Sequence, residues 1–509
     1  MKASRLLAAL LTCAACSKDI RSLEDLAPSS PAAADASAGE WQMIVLSGPT
    51  QFTVPPPSPV DSAAYQAELA SIRNAQASLT DEQREAIDYW SGGGVLRWNQ
   101  ILRELVARYN LPPAPRANDT YVFPDPDNPF ADPQFPFANP PYAARAYSYV
   151  TVAQFEALKV AWFYKHQYGR PSPAQVDGSI QSLMPATNVP AYPSEDAVLS
   201  GVSTELLRLL FPASVEEITR RAADERNAAL LSGRAAASDI AAGLALGRAV
   251  AAAFVARAAT DGMRAAAGTP AQWQALANAA AARGEVPWTS LEWPPRPPML
   301  PNFGQVRAWM MTPADVVRER PGPPPSTSSA QMAQELQEVR ETVDHLTSGH
   351  LAIAQFWNDG VSTYTPPGHW NDIATEHVGA ARMSEVRAAR AFALLNMAMH
   401  DAGVACWEAK FYYFNPRPSQ LDPAIKTQIG LPNFPSYTSG HSTFSTAAAV
   451  VLGHLFPDSA AEFDRMKDEA AISRLYGGIH YRSDIETGKE HGRRIGAYTV
   501  RFARQDGAE

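Results

Sequence analysis

The stretch that decides the fold lies near the C-terminus and comes in three pieces. They are Lys410-Phe411-Tyr412-Tyr413-Phe414-Asn415-Pro416-Arg417-Pro418, then Pro435-Ser436-Tyr437-Thr438-Ser439-Gly440-His441, then Ser473-Arg474 followed by His480 and Asp484. Lys410, Arg417 and Arg474 bring positive charge, Ser439 and the Gly440 N–H bring neutral donors, and His441 and His480 carry transferable protons. A tetrahedral or trigonal-bipyramidal oxyanion needs such a set, with preorganised donors on every side. A long Ala-rich apolar run, Phe444 to Phe456, follows Thr-Ser-Gly-His. A helix is therefore predicted to start at Ser439, with free N–H groups that seat an anion. His480 and Asp484 are four apart, which on a helix puts them on one face. Asp484 then holds one ring nitrogen of His480 and leaves the other aimed at the anion.

The bulk of the chain frames this cluster. Its 509 residues suffice for two or three domains, and a net charge of −9 argues against nucleic acid as a general partner. The cations therefore stand out from an acidic background. Lys2 and Arg5 precede a short apolar run and Cys13-Ala14-Ala15-Cys16-Ser17, which reads as residues 1–16 forming a lipoprotein-type signal with Cys16 lipidated. Simple secretion and no processing stay open. The expectation is an exported protein, in a bacterial periplasm or on an outer membrane, that meets the membrane through a lipid anchor only. No disulfide framework is expected, and Cys406 reads as a buried small hydrophobe. The most apolar internal segment, Ala235 to Ala259, is interrupted by Asp239 and Arg248 and fails the test for an uncharged membrane span.

Internal repetition organises the middle. Arg145, Trp162, Lys165, Pro190, Tyr192 and Ser194 recur as Arg390, Trp407, Lys410, Pro435, Tyr437 and Ser439, always 245 residues on (165 to 410). Ser238-Asp239-Ile240 and Asp261-Gly262 recur at the same interval, while Leu79-Thr80 and Trp90 recur as Leu346-Thr347 and Trp357 after 267 (80 to 347). The expected fold is all-α, built from two tandem, pseudo-symmetric helical bundles. The expected units are a tether and irregular arm over 17–76, a first bundle over 77–267, a Pro-rich connection over 268–343 and a catalytic bundle over 344–509. The first bundle has Asp196, Ala229 and Ala235 where the second has His441, Arg474 and His480, so it is expected to be catalytically degenerate.

The three-part pattern resembles the superfamily shared by type 2 phosphatidic acid phosphatases, bacterial acid phosphatases and vanadium-dependent haloperoxidases. One position departs: Thr438 stands where the family usually has proline. The resemblance implies that Lys410, Arg417, Ser439, Gly440 and Arg474 bind phosphate or vanadate, and that His480, His441 and Asp484 do the chemistry. In a phosphatase His480 is the nucleophile, His441 the proton carrier and Asp484 the orienting group, with a small phosphate ester as substrate and no cofactor. In a haloperoxidase vanadate is the cofactor, His480 is its ligand, and halide and peroxide are the substrates. There Trp407 and Phe434 resemble a halide-side aromatic wall, with His369 on a neighbouring loop. Trp162 holds the matching place in the first bundle, so a plain core role for Trp407 also stays open. Phosphate-ester hydrolysis is the leading expectation, halide oxidation the alternative, and a surface lipoprotein that only captures phosphate the third.

Overall fold

The computed structural model describes residues 26–509 apart from 124, 126–127 and 136–139. Cys16 and the rest of the expected signal lie outside the described residues. Among the described residues there are helices, turns and loops but no strand. Two 29-residue helices, Pro140–Tyr168 and Glu385–Tyr413, pack against each other through the middle of the body. Both are apolar all round rather than striped, as helices enclosed by others must be. Their buried charges are partnered: near the helix starts Arg145 Nε lies 2.7 Å from Asp261 and Arg390 Nε 2.7 Å from Asp506, and in mid-helix Lys159 Nζ lies 2.7 Å from Glu156.

The repeat seen in the sequence governs the element boundaries. Pro140–Tyr168, Pro173–Val176, Glu195–Leu210, Val215–Leu231 and Ala237–Ala258 reappear as Glu385–Tyr413, Pro418–Leu421, Gly440–Leu455, Ala460–Tyr476 and Arg482–Ala503. Each pair is displaced by 245, as between Glu195 and Gly440. Upstream, Asp81–Ser91 matches Ser348–Phe356, and equivalent threonines cap them. Thr80 Oγ1 accepts from Gln83 N–H at 3.2 Å and Thr347 Oγ1 from His350 N–H at 3.1 Å. The following linker is only 92–93 in the first copy but 357–364 in the second.

The segments read as a tether and a connection are built into the body. Glu156 accepts the N–H groups of Ile44, Val45 and Leu46, and Asp401 accepts those of Trp309 and Met310. Gln42 N–H reaches the Asp506 carbonyl at 2.8 Å, and Arg307 N–H the Asp261 carbonyl at 2.7 Å. Each arm therefore clasps the long helix of its own copy and the C-terminal turn of the other. The buried carboxylates of Glu156 and Asp401 are what make this stable, since they answer backbone donors that would otherwise be orphaned.

Ala237–Ala258 is, by length and composition, apolar enough to cross a membrane. The expectation that its charges disqualify it is met differently by the fold. A Cβ added at Gly243 would lie 2.4 Å from the Ser194 carbonyl and one at Gly247 2.3 Å from that of Val198, so small residues let it press onto Glu195–Leu210. Its first turn carries Asp239, fully buried and 3.1 Å from Arg170.

Candidate active site

Ser439 caps the Gly440–Leu455 helix as expected, its Oγ accepting from Ser442 N–H at 3.3 Å. The first-turn N–H groups of Gly440 and His441 have no acceptor within the helix and are free for a ligand. The Tyr437–Thr438 peptide ahead of it is cis. The lysine and first arginine are placed differently from expectation. Lys410 Nζ donates to the carbonyls of Pro435, Ser436 and Thr438 at 2.9, 2.8 and 2.5 Å. Arg417 donates from Nε to Phe434 O at 3.0 Å and from Nη1 to Ile479 O at 2.8 Å. Both are fully enclosed, and a buried cation must donate to something; the inward-turned carbonyls of the 434–438 loop are what it meets. These two cations fasten the loop and supply positive potential from behind it.

His480 is the centre. Its Nδ1 lies 2.8 Å from Asp484 Oδ2, and its Nε2 is 3.0 Å from Arg417 Nη1. The reason differs from the one the spacing suggested. The helix bearing Asp484 begins at Arg482, after a turn through Gly478 at φ 73, so His480 precedes it. Asp484 is the third helical residue; its carboxylate also accepts from Tyr481 N–H at 3.2 Å and Ser436 Oγ at 2.5 Å. It thus caps its own helix and orients the imidazole with the same oxygen. Ser436 went unread in the sequence because the repeat offers no contrast beyond Ala191 at its matching position.

Electrostatics follow from burial. Burial first, then Arg417, Lys410 and Arg474, holds His480 well below the usual imidazole range. Burial lowers Lys410 to about 7, Arg417 to about 10 and Arg474 to about 9, and it raises Asp484 to about 6. Three enclosed cation-bearing groups face few enclosed carboxylates, so the site is short of negative charge.

A cavity of about 430 Å³ opens onto this group. Gly440, His441, Arg474 and His480 line it, whereas Lys410, Arg417, Ser439 and Asp484 stand behind its wall. Trp407 and Phe434 also line it, with ring centroids 4.9 Å apart. Trp407 is at the same time fully buried and donates to Met299 O at 3.1 Å, so it serves the core and the cavity together. His441 Nε2 has no hydrogen-bond partner and sits 3.9 Å from Asp359. Burial, then Arg474, pushes His441 far down. His369 does not reach the cavity. It stacks on Trp357 at 4.4 Å and its Nδ1 meets Asp359 at 3.0 Å, positioning that carboxylate.

Two contributors went unread in the sequence. The Pro-rich connection supplies Glu292, Arg296 and Met299 to the cavity wall, and the first copy supplies Asn110, Pro112 and Pro140. Asn110 Nδ2 also donates to Gly360 O at 2.8 Å, which steadies the loop bearing Asp359. Neither segment has a motif; the fold alone brings them to the cavity.

At the matching place in the first copy the chemistry is filled in. Lys165 Nζ lies 2.5 Å from Glu195, and Arg234 lies 2.9 Å from Glu195 and 3.7 Å from Asp196. Burial would raise Glu195, but Lys165 and Arg234 outweigh it and hold the carboxyl near about 2. A side-chain carboxylate occupies the helix N-terminus there.

Comparison with known proteins bears directly on the second copy. Residues 389–507 match the PAP2 superfamily. The match lies within the C-terminal bundle. The chain is 35% identical over 117 residues to a non-specific acid phosphatase of Salmonella typhi, covering 22% of this chain and 44% of that protein. It is 39% identical over 72 residues to decaprenylphosphoryl-5-phosphoribose phosphatase of Mycolicibacterium smegmatis, covering 14% of this chain and 38% of that one. The chain thus spans less than half the length of these relatives. In fold it is similar to a bacterial vanadium-dependent iodoperoxidase, with a TM-score of 0.57 at 22% identity over 80% of this chain and 95% of that one. It is similar too to a holo-type bacterial vanadium-dependent chloroperoxidase, with a TM-score of 0.52 at 13% identity, covering 76% of this chain and 97% of the other. Residues 389–507 therefore lie within a larger helical body whose fold is similar to that of these two structures.

Proposed function

We propose that the second copy hydrolyses phosphate monoesters through a phosphohistidine. The observation that carries the reading is the ring of buried, charge-deficient cations around a neutral, carboxylate-held imidazole. Such a site gains most from a multiply charged oxyanion and offers a nucleophile at its centre. Similarity to non-specific acid phosphatases supports the same reading.

In this mechanism Arg474 and the Gly440 N–H neutralise the phosphoryl oxygens, and Lys410 and Arg417 add potential from behind. His480 Nε2 attacks phosphorus while the ester P–O bond breaks, and the leaving alkoxide takes a proton from His441. Water then attacks phosphorus, gives its proton to His441, and the P–N bond breaks to release phosphate. His441 starts with a depressed proton affinity because of burial and Arg474. A bound dianion offsets Arg474 and reloads it, so kcat/KM should rise as pH falls.

A second reading rests on the aromatic pair facing the cavity. The donor set also fits vanadate: His480 Nε2 would ligate it, and Arg474 and the Gly440 N–H would hold its oxygens. Bound there, vanadate would supply peroxide activation for halide oxidation, and His441 would hold the proton beside it.

The test is purified chain assayed with p-nitrophenyl phosphate, with acid-labile phosphate sought on His480 after rapid quench. Halide oxidation with peroxide is measured in parallel after adding vanadate. Bromination without ester turnover overturns the ordering, and phosphate binding with neither activity favours a capture protein. Export and lipidation at Cys16 are proposed alongside; labelling with a radioactive fatty acid that disappears in Cys16→Ala is the expected result.

A further inference from the structure

The cavity is not lined by residues 389–507 alone: the Pro-rich connection adds Glu292, Arg296 and Met299, and Asn433 pins that segment in place. Its Nδ2 donates to Arg296 O and Pro297 O at 3.4 and 2.7 Å, its Oδ1 accepts from Ser290 Oγ at 2.7 Å, and Met299 N–H reaches its carbonyl at 3.2 Å. Asn433 directly precedes Phe434, so these bonds tie the connection to the motif loop. Arg296 and Glu292, one helical turn apart in number, both line the cavity. Arg296 Nη2 donates to Glu292 Oε1 at 2.8 Å, and the Arg296 side chain is 11% exposed. Its Nε, although buried, has no hydrogen-bond partner.

The Nε itself is enclosed, so what a ligand meets at this wall is the outer part of the Arg296–Glu292 pair. The charge balance says which kind of ligand. Arg296 is already neutralised by Glu292, whose carboxylate would repel a second anion. What the pair presents to a ligand is a donor beside an acceptor, which suits a hydroxyl because a hydroxyl is both. The rest of the wall here is Met299, Trp407, Leu431, Pro432 and Phe434, apolar and partly aromatic. An alkyl chain would satisfy these but leave the Arg296–Glu292 pair without a polar partner. A sugar ring satisfies both, with C–H faces for the aromatic wall and hydroxyls for the charged pair.

We propose that Arg296 and Glu292 select phosphate esters whose leaving group is a neutral polyol or sugar, binding its hydroxyls opposite the Trp407–Phe434 wall. The inference rests on the proposed hydrolysis at His480 and assigns the leaving-group side of that same site. It places specificity outside residues 389–507, on a segment the family match does not include.

The experiment compares kcat/KM for glucose 6-phosphate with that for n-hexyl phosphate in the wild type, Arg296→Met and Glu292→Gln. The wild type should favour the sugar ester. Arg296→Met should cut the sugar-to-alkyl ratio by about tenfold or more, mainly through KM, because a site built to answer a hydroxyl loses most when that bond is removed. Glu292→Gln keeps the shape and should lower the ratio less. A ratio unchanged in Arg296→Met overturns the proposal, as does an equal loss on both esters, which would mark a structural role. A wild type that prefers fructose 1,6-bisphosphate over glucose 6-phosphate, with the preference lost in Arg296→Met, would replace the polyol by a second anion and also overturns it. If the wild type turns over no ester, hydrolysis fails, and calorimetric binding of the same two monoesters decides the inference by the same ratio.

Discussion

The two copies of the repeat begin from the same scaffold and end in opposite electrostatic states. In the second, cations surround an open cavity and carboxylates are few. In the first, Glu195 and Asp196 stand at the helix N-terminus and answer Lys165 and Arg234 from within the chain. Lysine is retained in both, at 165 and 410, and in both it is fully buried. What separates them is whether its charge is met by the protein or left for a ligand. A seat for an anion is thus abolished by supplying the anion as a side chain, without dismantling the helix start that made it.

This contrast is open to breaking. The largest effect is expected from His480→Ala, which removes the nucleophile and should lower kcat by about 10⁴-fold or more in a phosphatase assay. Residual turnover within tenfold of wild type would mean that chemistry resides elsewhere, the first copy included. Next, Lys165→Met strips one partner from a buried ion pair in the first copy. Loss of about 3–5 kcal/mol in denaturant unfolding is expected, with turnover per folded molecule retained. Turnover that vanished from a still-folded Lys165→Met protein would give the first copy a catalytic part.

The third effect is the pH dependence of stability. Lys410 is lowered by burial to about 7 from 10.5, so between those values the unfolded chain binds a proton that the folded chain has shed. Stability should rise with pH across that window, and the burial penalty is fully present below about 7. Arg417 and Arg474, also lowered by burial, act with the same sign at higher pH. Phosphate at a hundred times its Kd should add about 2.7 kcal/mol and flatten the slope, because it restores the cations' partners. Melting curves from pH 6.5 to 10 with and without phosphate read this out; a slope that phosphate leaves untouched would contradict an anion seat. Smallest is the pair Thr80→Ala and Thr347→Ala, each losing an equivalent cap and about 1 kcal/mol. Unequal losses by chemical denaturation would show that the copies differ in local stability as well as in charge.

How much of this was visible before the fold is itself uneven. The helix start at Ser439, the carboxylates at the matching helix start in the first copy and the grouping of Gly440, His441, Arg474 and His480 all follow from spacing, because caps and repeats are local. The His480–Asp484 pair was expected along a helix and is found across a helix start. Residue separation limits how far apart two groups are, not which turn lies between them. Lys410 and Arg417 were expected against the ligand and are found against loop carbonyls, since nothing in a spacing says which way a backbone oxygen turns.

The sequence alone determined an all-helical body with one residual anion-seeking cluster, because periodicity, capping and the charge of matched positions are properties of neighbours along the chain. Only the tertiary structure decided that two proline-rich arms clasp both copies, that the first copy walls the second copy's cavity through Asn110, Pro112 and Pro140, and that Arg296 faces that cavity without a full set of partners. Those facts depend on contacts between residues hundreds apart. Such contacts are chosen by which buried donors and acceptors can be satisfied at once, a condition that no local pattern records.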